Sequence, residues 1–138
     1  MTEEFGIGLC KVYPTAVTAD DFIIFLKKLL QRHRTEPLAL YMDQLNVHKA
    51  SRVKEWYDKL DILPVYNVSY SPELNPIEAC FSKVKAIFNR QRLNCLVRKI
   101  GFNIDETIRT ALCAVDASHC AACVRKSREL LDKACEQD

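Results

Sequence analysis

Two acidic residues, Asp43 and Glu78, stand in surroundings suited to chemistry on phosphate groups. Asp43 follows a short apolar run, and Glu78 ends the segment YSPELNPIE at positions 70–78, with 34 residues between the two acids. A divalent cation such as Mg²⁺ takes a few rigidly held carboxylate oxygens and leaves positions for phosphate oxygens. The pair therefore suggests a two-metal site that cleaves phosphodiesters. The plainer alternative is that Asp43 ends a strand and Glu78 caps a helix, without further function.

The segments around Asp43 predict a strand–helix–strand unit. An apolar run at 38–42 predicts a buried strand, positions 50–60 predict a helix, and positions 62–68 predict a second strand. Short connections make the two strands parallel with a right-handed crossover. In such sheets functional residues gather beyond the carboxyl ends of the strands, so we expect the carboxylates of Asp43 and Glu78 to converge there.

The residues before Glu78 have the chemistry of a turn and a helix start. Ser71 and Pro72 favour a turn, Asn75 suits the N-cap position and Pro76 suits the first helical position. Glu78 then lies in the first helical turn, where the helix dipole favours a negative charge. The apolar residues expected on the buried face of this helix are Cys80, Phe81, Val84, Ile87 and Phe88.

Further elements are predicted on either side of this region. Positions 5–13 resemble a strand that Pro14 ends, and Thr18 is a suitable N-cap for a helix. Two more helices are expected at about 104–115 and 118–135, after a break near Gly101. The helix after Thr18 has an apolar stripe of Phe22, Ile23, Phe25, Leu26, Leu29 and Leu30.

The composition is that of an ordinary globular protein of one domain. Of 138 residues, 49% are hydrophobic and 28% charged, which argues against disorder, and no apolar run reaches the roughly 20 residues of a membrane span. The acidic start lacks a secretory signal pattern. Seven cysteines, an odd number without regular spacing, indicate an intracellular, reducing compartment.

Two further patterns each have a functional and a structural interpretation. Positions 79–104 contain no acid but include Lys83, Lys85, Arg90 and Arg92, which could bind DNA phosphates or form a solvated helix face. The segment HCAAC at 119–123 is a weak zinc motif, because one Cys-x-x-Cys pair lacks the four ligands of a structural site. Packing is the favoured role for these cysteines.

Asp43, His48 and the SPELNPIE segment together resemble the DDE transposases, specifically the mariner-type superfamily. The resemblance extends from about residue 15 to at least residue 85. It implies an α/β, ribonuclease-H-like fold, in which a mixed sheet is flanked by helices. Residues 1–100 would form a partial DDE domain without its first strands, and residues 101–138 a helical extension of it. It also implies DNA cleavage and strand transfer with two divalent metals, Mg²⁺ or Mn²⁺.

The resemblance assigns roles to particular residues. Asp43 and Glu78 match the second and third catalytic, metal-binding acids of the family. His48 would lie beside the metals and orient a carboxylate or contact phosphate, although a histidine bonded to the backbone is equally consistent with its position. The DNA-binding residues would be His48, Lys83, Lys85, Arg90 and Arg92. The residues that support the motif would be Ser71, Pro72, Asn75 and Pro76.

The chain departs from the family pattern in three places. Gln44 replaces a common Asn, Phe81 replaces a frequent Trp, and residues 1–42 contain no counterpart of the first catalytic aspartate, because Asp20 and Asp21 fall in a helix. Without its neighbouring strands, the Asp43 strand would have an open, apolar edge, which soluble proteins avoid. We therefore expect a partner that completes or covers the sheet.

Two functions follow from this expectation. The chain could be a piece of a transposase-derived nuclease, inactive alone and located in the nucleus, with an organelle as the alternative. It could also be a domesticated, non-catalytic subunit of a larger protein assembly.

Overall fold

The computed structural model describes residues 7–33 and 37–136. The chain divides into two compact units. One is Leu9–Pro72, and the described part of the other consists of residues 7–8 and 73–136.

The unit Leu9–Pro72 contains a parallel strand–helix–strand arrangement, which confirms the α/β prediction. Strands β1 and β2 pair in parallel, with Leu38 opposite Ile62 and Met42 opposite Tyr66. The predicted second strand ends at Tyr66 rather than at position 68. The elements are α1 (Ala19–Arg32), β1 (Leu38–Met42), α2 (Asn46–Lys49), α3 (Ser51–Leu60) and β2 (Ile62–Tyr66).

The core of this unit lies between the helices and one face of the sheet. Leu26 of α1 and Val53 and Tyr57 of α3 are almost completely buried, and they pack with Met42 and Ile62 of the strands. Burial of each large apolar side chain stabilises the fold by roughly 1.5–3 kcal/mol. This packing holds the end of β1, and hence Asp43, in a fixed position.

Local signals set the ends of the two longer helices. The hydroxyl of Thr18 accepts a hydrogen bond from the backbone N–H of Asp21 at 3.2 Å, and the Asp21 carboxylate accepts one from Thr18 N–H at 3.2 Å. This reciprocal pair is a capping box, which satisfies two N–H groups at the start of α1. Helix α3 ends at Leu60, and the left-handed backbone of the next residue, the C-cap Asp61 (φ 52°), turns the chain directly into β2.

The predicted strand at positions 5–13 is wrong over the part that the structure describes. Positions 5 and 6 lie outside the described residues, and residues 7–13 are not strand. Instead, the Tyr13 hydroxyl donates to the backbone carbonyl of Asp21 at 3.3 Å, and the Lys11 ammonium lies 4.3 Å from the centre of the Tyr13 ring. An extended segment is stable as a strand only beside other strands, and Tyr13 contacts α1 instead.

The second face of the sheet is apolar and open to solvent. Leu63 is 64% exposed, and Tyr41 and Val65 are also exposed. Among residues 7–33 and 37–136, β2 is the only strand that pairs with β1. Within the described residues, the edge of β1 opposite β2 therefore pairs with no other strand, as predicted.

The unit of residues 7–8 and 73–136 is helical. A one-turn 3₁₀ helix (Pro72–Leu74) precedes α4 (Pro76–Arg98), which packs against α5 (Ile104–Cys113) and α6 (Ala117–Cys135). The three predicted helices are confirmed. The described helices include none that is both long and apolar enough to cross a membrane.

The buried face of α4 is narrower than predicted. Cys80 is buried and Val84, Ile87 and Phe88 are half-buried, but Phe81 is 42% exposed, so the prediction for Phe81 is wrong. Successive helical residues point about 100° apart, so the neighbour of Cys80 turns away from α5 and α6. The core of this unit is formed by Cys80, Val115, Cys120 and Cys123.

Candidate active site

Asp43 comes directly after the last residue of β1, and its side chain is half exposed. Its Oδ1 atom lies 2.9 Å from Nδ1 of His48 and accepts a longer hydrogen bond of 3.4 Å from the backbone N–H of Leu45. The carboxylate is therefore oriented by its contacts with His48 and Leu45 while it remains accessible from solvent. This combination suits a carboxylate that binds a cation shared with a substrate.

His48 is held on several sides. Its ring centre lies 4.5 Å from that of Phe22, and its backbone carbonyl accepts hydrogen bonds from the hydroxyls of Tyr57 (3.1 Å) and Tyr66 (3.2 Å). Its Nδ1 atom also lies 3.2 Å from the backbone oxygen of Asp43. Because both neighbours of Nδ1 are acceptors, the proton belongs on Nδ1. The histidine thus contacts both the backbone and the carboxylate of Asp43.

Asn67, which the sequence analysis missed, connects the two strand ends. It is 5% exposed, and its backbone N–H donates to Met42 O at 2.8 Å. Its side-chain oxygen accepts from the Tyr41 hydroxyl at 2.6 Å, and its amide donates to Ser71 O at 2.7 Å. Gln44, which replaces the common Asn, donates to the backbone oxygen of Asn67 at 2.9 Å. The sequence feature that could have identified Asn67 is a polar amide side chain directly after a buried parallel strand.

The turn that precedes the helix of Glu78 begins in the same network. Tyr70 adopts a left-handed backbone (φ 61°) and is fully exposed, and Ser71 N–H donates to Val68 O at 3.3 Å. Pro72 then starts the 3₁₀ turn. Asn67 therefore ties Ser71 to the end of β1, close in the chain to Asp43.

Glu78 lies in the first turn of α4, as predicted. The Asn75 side chain caps the helix by accepting from Ile77 N–H at 3.3 Å, and Pro76 is the first helical residue. The Glu78 side chain is half-buried. Glu78 belongs to the unit of residues 73–136 and Asp43 to Leu9–Pro72, so their convergence on shared cations stays a prediction.

The four basic residues predicted to bind DNA lie on two different sides of α4. Lys85 and Arg92 follow Glu78 at steps of seven residues, which places all three on one side of the helix. Lys83 and Arg90 lie more than a quarter-turn around the helix axis from Glu78. Lys83 is half-buried, whereas the other three are exposed. Only Lys85 and Arg92 share the side of Glu78.

A family model described as DDE superfamily endonuclease matches residues 1–98 of the chain. The chain belongs to this family. No curated protein matches the chain. The match confirms the DDE resemblance and includes Asp43, His48 and Glu78, whereas α5 and α6 lie beyond it.

DDE superfamily endonucleases use divalent metal ions, so the donors of this chain must suit such an ion. Asp43 and Glu78 offer carboxylate oxygens, the ligands that Mg²⁺ and Mn²⁺ prefer. A histidine that orients a ligating carboxylate is a frequent outer contact of metal sites, and His48 has that position. The residues therefore fit a hard divalent cation in their chemistry.

A different group of possible metal ligands lies in the helical unit. Among the described residues, one group of three such side chains converges: Cys80, His119 and Cys123. Burial, followed by hydrogen bonding to Cys123 and proximity to Cys120, raises the pKa of the Cys80 thiol to about 12. Thiols and imidazole are poor ligands for Mg²⁺, so this group is separate in its chemistry from the two acids.

Proposed function

We propose that this chain is the part of a transposase-derived DNA endonuclease that carries the second and third catalytic acids. Membership of the DDE superfamily endonucleases supports the reaction class. The observation that carries the residue assignment is the 2.9 Å contact between Asp43 and His48 at the carboxyl end of β1. Asp43 and Glu78 would bind Mg²⁺ or Mn²⁺.

The chain's own residues would hold the Asp43 carboxylate in position for the metal. His48 donates to Asp43 from a position held by Tyr57 and Tyr66, so the carboxylate needs little reordering when it binds a cation. Its partial exposure leaves room for a phosphate oxygen. The bound ions would supply Lewis-acid stabilisation of the phosphodiester under attack.

DNA would be bound beside Glu78 along one side of α4. Lys85 and Arg92 are exposed on the same side of the helix as Glu78, where their charges can neutralise neighbouring phosphates. Lys83 faces a different direction and lies near the Asp116 carboxylate. Hydrogen bonds from His119 N–H and the Ser118 hydroxyl lower the pKa of Asp116, and Lys83 adds to this effect. We therefore assign DNA contact to Lys85 and Arg92 before Lys83 and Arg90.

The missing acid and strands would come from residues outside these 138, either in the same polypeptide or in another. β1 is the suitable place of attachment, because it offers an edge in the described sheet. Pro64 in β2 has no N–H to donate, which is typical of a strand at the border of a sheet. Strand addition at β1 would make Asp43 central to the sheet. We place the assembled nuclease in a reducing, intracellular compartment, the nucleus for a transposase-like role.

The test begins with Mn²⁺ binding by isothermal titration calorimetry. Asp43→Asn and Glu78→Gln should each weaken binding at least about tenfold. The matched controls Asp58→Asn and Glu73→Gln, in the same two regions of the chain, should bind as the unaltered protein does. Equal binding by all five proteins would disprove the assignment.

The second step measures activity in the completed sheet. The chain is combined with the upstream half of a DDE domain, and nicking of supercoiled DNA is measured with and without Mg²⁺. Metal-dependent nicking that Asp43→Asn abolishes supports the proposal. A stable complex that binds no metal and does not nick DNA contradicts it.

The second candidate function is a domesticated, non-catalytic subunit, and exposed apolar side chains favour it. Leu93, Leu96 and Val97 of α4 are 56–82% exposed, and Leu63 adds apolar area on the sheet. Such surfaces often mark protein interfaces. Purification of the chain with its native companions separates the two functions: a stable complex that survives Asp43→Asn and contains no DNA supports the structural subunit.

A further inference from the structure

Three side chains from two helices point their ligand atoms at one place in the helical unit. Cys80 comes from the second turn of α4, and His119 and Cys123 are one turn apart on α6. The two sulfurs and a ring nitrogen all lie within 4.8 Å of one another. His119 Nε2 lies 3.7 Å from Cys123 Sγ.

These separations are close to those of a tetrahedral zinc site. Zn–S bonds of about 2.3 Å and Zn–N bonds of about 2.0 Å put neighbouring ligand atoms about 3.5–3.8 Å apart. The His119–Cys123 pair already has this spacing. Small side-chain rotations would bring Cys80 to the same distance, because all three atoms start within 4.8 Å.

The surroundings also suit a bound metal. Cys80 and Cys123 are buried, whereas His119 is half exposed, so the group lies at the border between the core and solvent. Asp116 caps α6 by accepting from His119 N–H at 2.8 Å, which fixes the turn that carries the imidazole. His119 Nε2 and Cys123 Sγ are within hydrogen-bonding distance of each other at 3.7 Å, so both ligand atoms already face the same place.

We propose that Cys80, His119 and Cys123 form a zinc site that links α4 to α6. The two sulfurs and the imidazole Nε2 supply three ligands, and a water on the His119 side supplies the fourth. Binding of Zn²⁺ releases the two thiol protons to solvent, which leaves a neutral site of two thiolates and one Zn²⁺. No electron transfer is involved. The site holds the first turns of α4, including the turn of Glu78, against α6.

The identity of the three converging residues explains why the Cys-x-x-Cys motif was a misleading guide to the site. The Cys-x-x-Cys motif comprises Cys120 and Cys123, but Cys120 is not one of the three converging residues. Its place is taken by Cys80, 39 positions before His119. The favoured packing role thus fits Cys120, which is fully buried in the same core.

The experiment titrates the whole 138-residue chain with Co²⁺ under a phosphine reductant and without oxygen. Tetrahedral thiolate coordination produces intense charge-transfer absorption, and Zn²⁺ should displace Co²⁺ and abolish this signal. We expect one Co²⁺ per chain and a rise in Tm on addition of Zn²⁺. Cys123→Ser and Cys80→Ser should each lower the affinity at least about tenfold.

Cys120→Ser and Cys135→Ser are the matched controls, and both should keep the absorption and the rise in Tm. His119→Gln removes a ligand at a half-exposed position, so it tests the site even if Cys80→Ser does not fold. Far-UV circular dichroism of the metal-free proteins checks the fold. Absence of thiolate absorption in the unaltered chain, or its persistence in folded His119→Gln and Cys123→Ser, overturns the proposal.

Discussion

Nδ1 of His48 lies 2.9 Å from Oδ1 of Asp43. The contact joins α2 to the end of β1, and the backbone of His48 is held by two tyrosine hydroxyls from α3 and β2. Every element of the strand–helix–strand unit therefore contributes to the position of one carboxylate. Asp43 is oriented by tertiary contacts rather than by its loop alone.

Replacement of His48 should weaken metal binding without unfolding the protein. In His48→Phe the ring can still pack on Phe22, but the donor to Asp43 is lost. We expect Mn²⁺ affinity to fall about tenfold, the lower range for outer contacts of metal sites. His33→Phe is the control. Calorimetric titration measures the affinity, and an unchanged value would show that His48 does not position Asp43.

Replacement of Asn67 should destabilise the unit Leu9–Pro72. Asn67→Ala removes the partners of the Tyr41 hydroxyl, Val68 N–H and Ser71 carbonyl, and we expect a loss of about 2–3 kcal/mol. Trp56, the only tryptophan, lies in this unit, so its fluorescence during urea unfolding reports the change. Asn94→Ala, at an exposed helical position, should leave the midpoint nearly unchanged. A similar shift in both variants would contradict the role of Asn67.

The two sides of α4 should differ in DNA binding. Lys85→Ala with Arg92→Ala should weaken binding to duplex DNA. It should also make the negative slope of log affinity against log salt shallower by about 2, since each phosphate contact contributes roughly −0.9. The matched pair Lys83→Ala with Arg90→Ala removes the same amount of charge from a different side of α4. It should have the smaller effect on affinity and on the slope. Fluorescence anisotropy at several salt concentrations measures both. Equal slopes in the two double variants would argue against DNA binding along the side of α4 that carries Glu78.

The start of α6 should weaken in acid. Hydrogen bonds from His119 N–H and the Ser118 hydroxyl, together with Lys83, lower the pKa of Asp116 below its ordinary 3.8. A group whose pKa is lower in the folded state contributes stability above its unfolded pKa. That contribution is lost as the pH falls from 3.8 through the folded value.

The variant Asp116→Asn separates the effect of protonating Asp116 from the effect of its helix-capping hydrogen bond. The amide oxygen can still accept from His119 N–H but has no proton to gain, so the variant should lose this part of the acid dependence. Asp116→Ala should be less stable than both proteins at neutral pH. Thermal unfolding followed by circular dichroism between neutral pH and pH 3 measures these differences. Parallel acid profiles for the unaltered chain and Asp116→Asn would refute this assignment.

Features that depend on a few neighbouring residues were determined by the sequence alone. Thr18 and Asn75 begin helices because their side chains accept from N–H groups two or three residues away. The parallel pairing of β1 and β2 followed from a short helical crossover. The Asp43, His48 and SPELNPIE pattern was enough to identify the family, which the match over residues 1–98 confirms.

Features that need distant partners were decided only by the tertiary structure. Residues 7–13 do not form the predicted strand, because an extended segment needs a neighbouring strand and Tyr13 bonds to α1 instead. Asn67 acquires its role from groups on both strands, and Cys80 from two side chains of a helix that begins 37 positions later. Local propensity reports on backbone conformation, whereas the convergence of side chains depends on how whole elements pack. That packing brings together residues whose separation in sequence carries no signal.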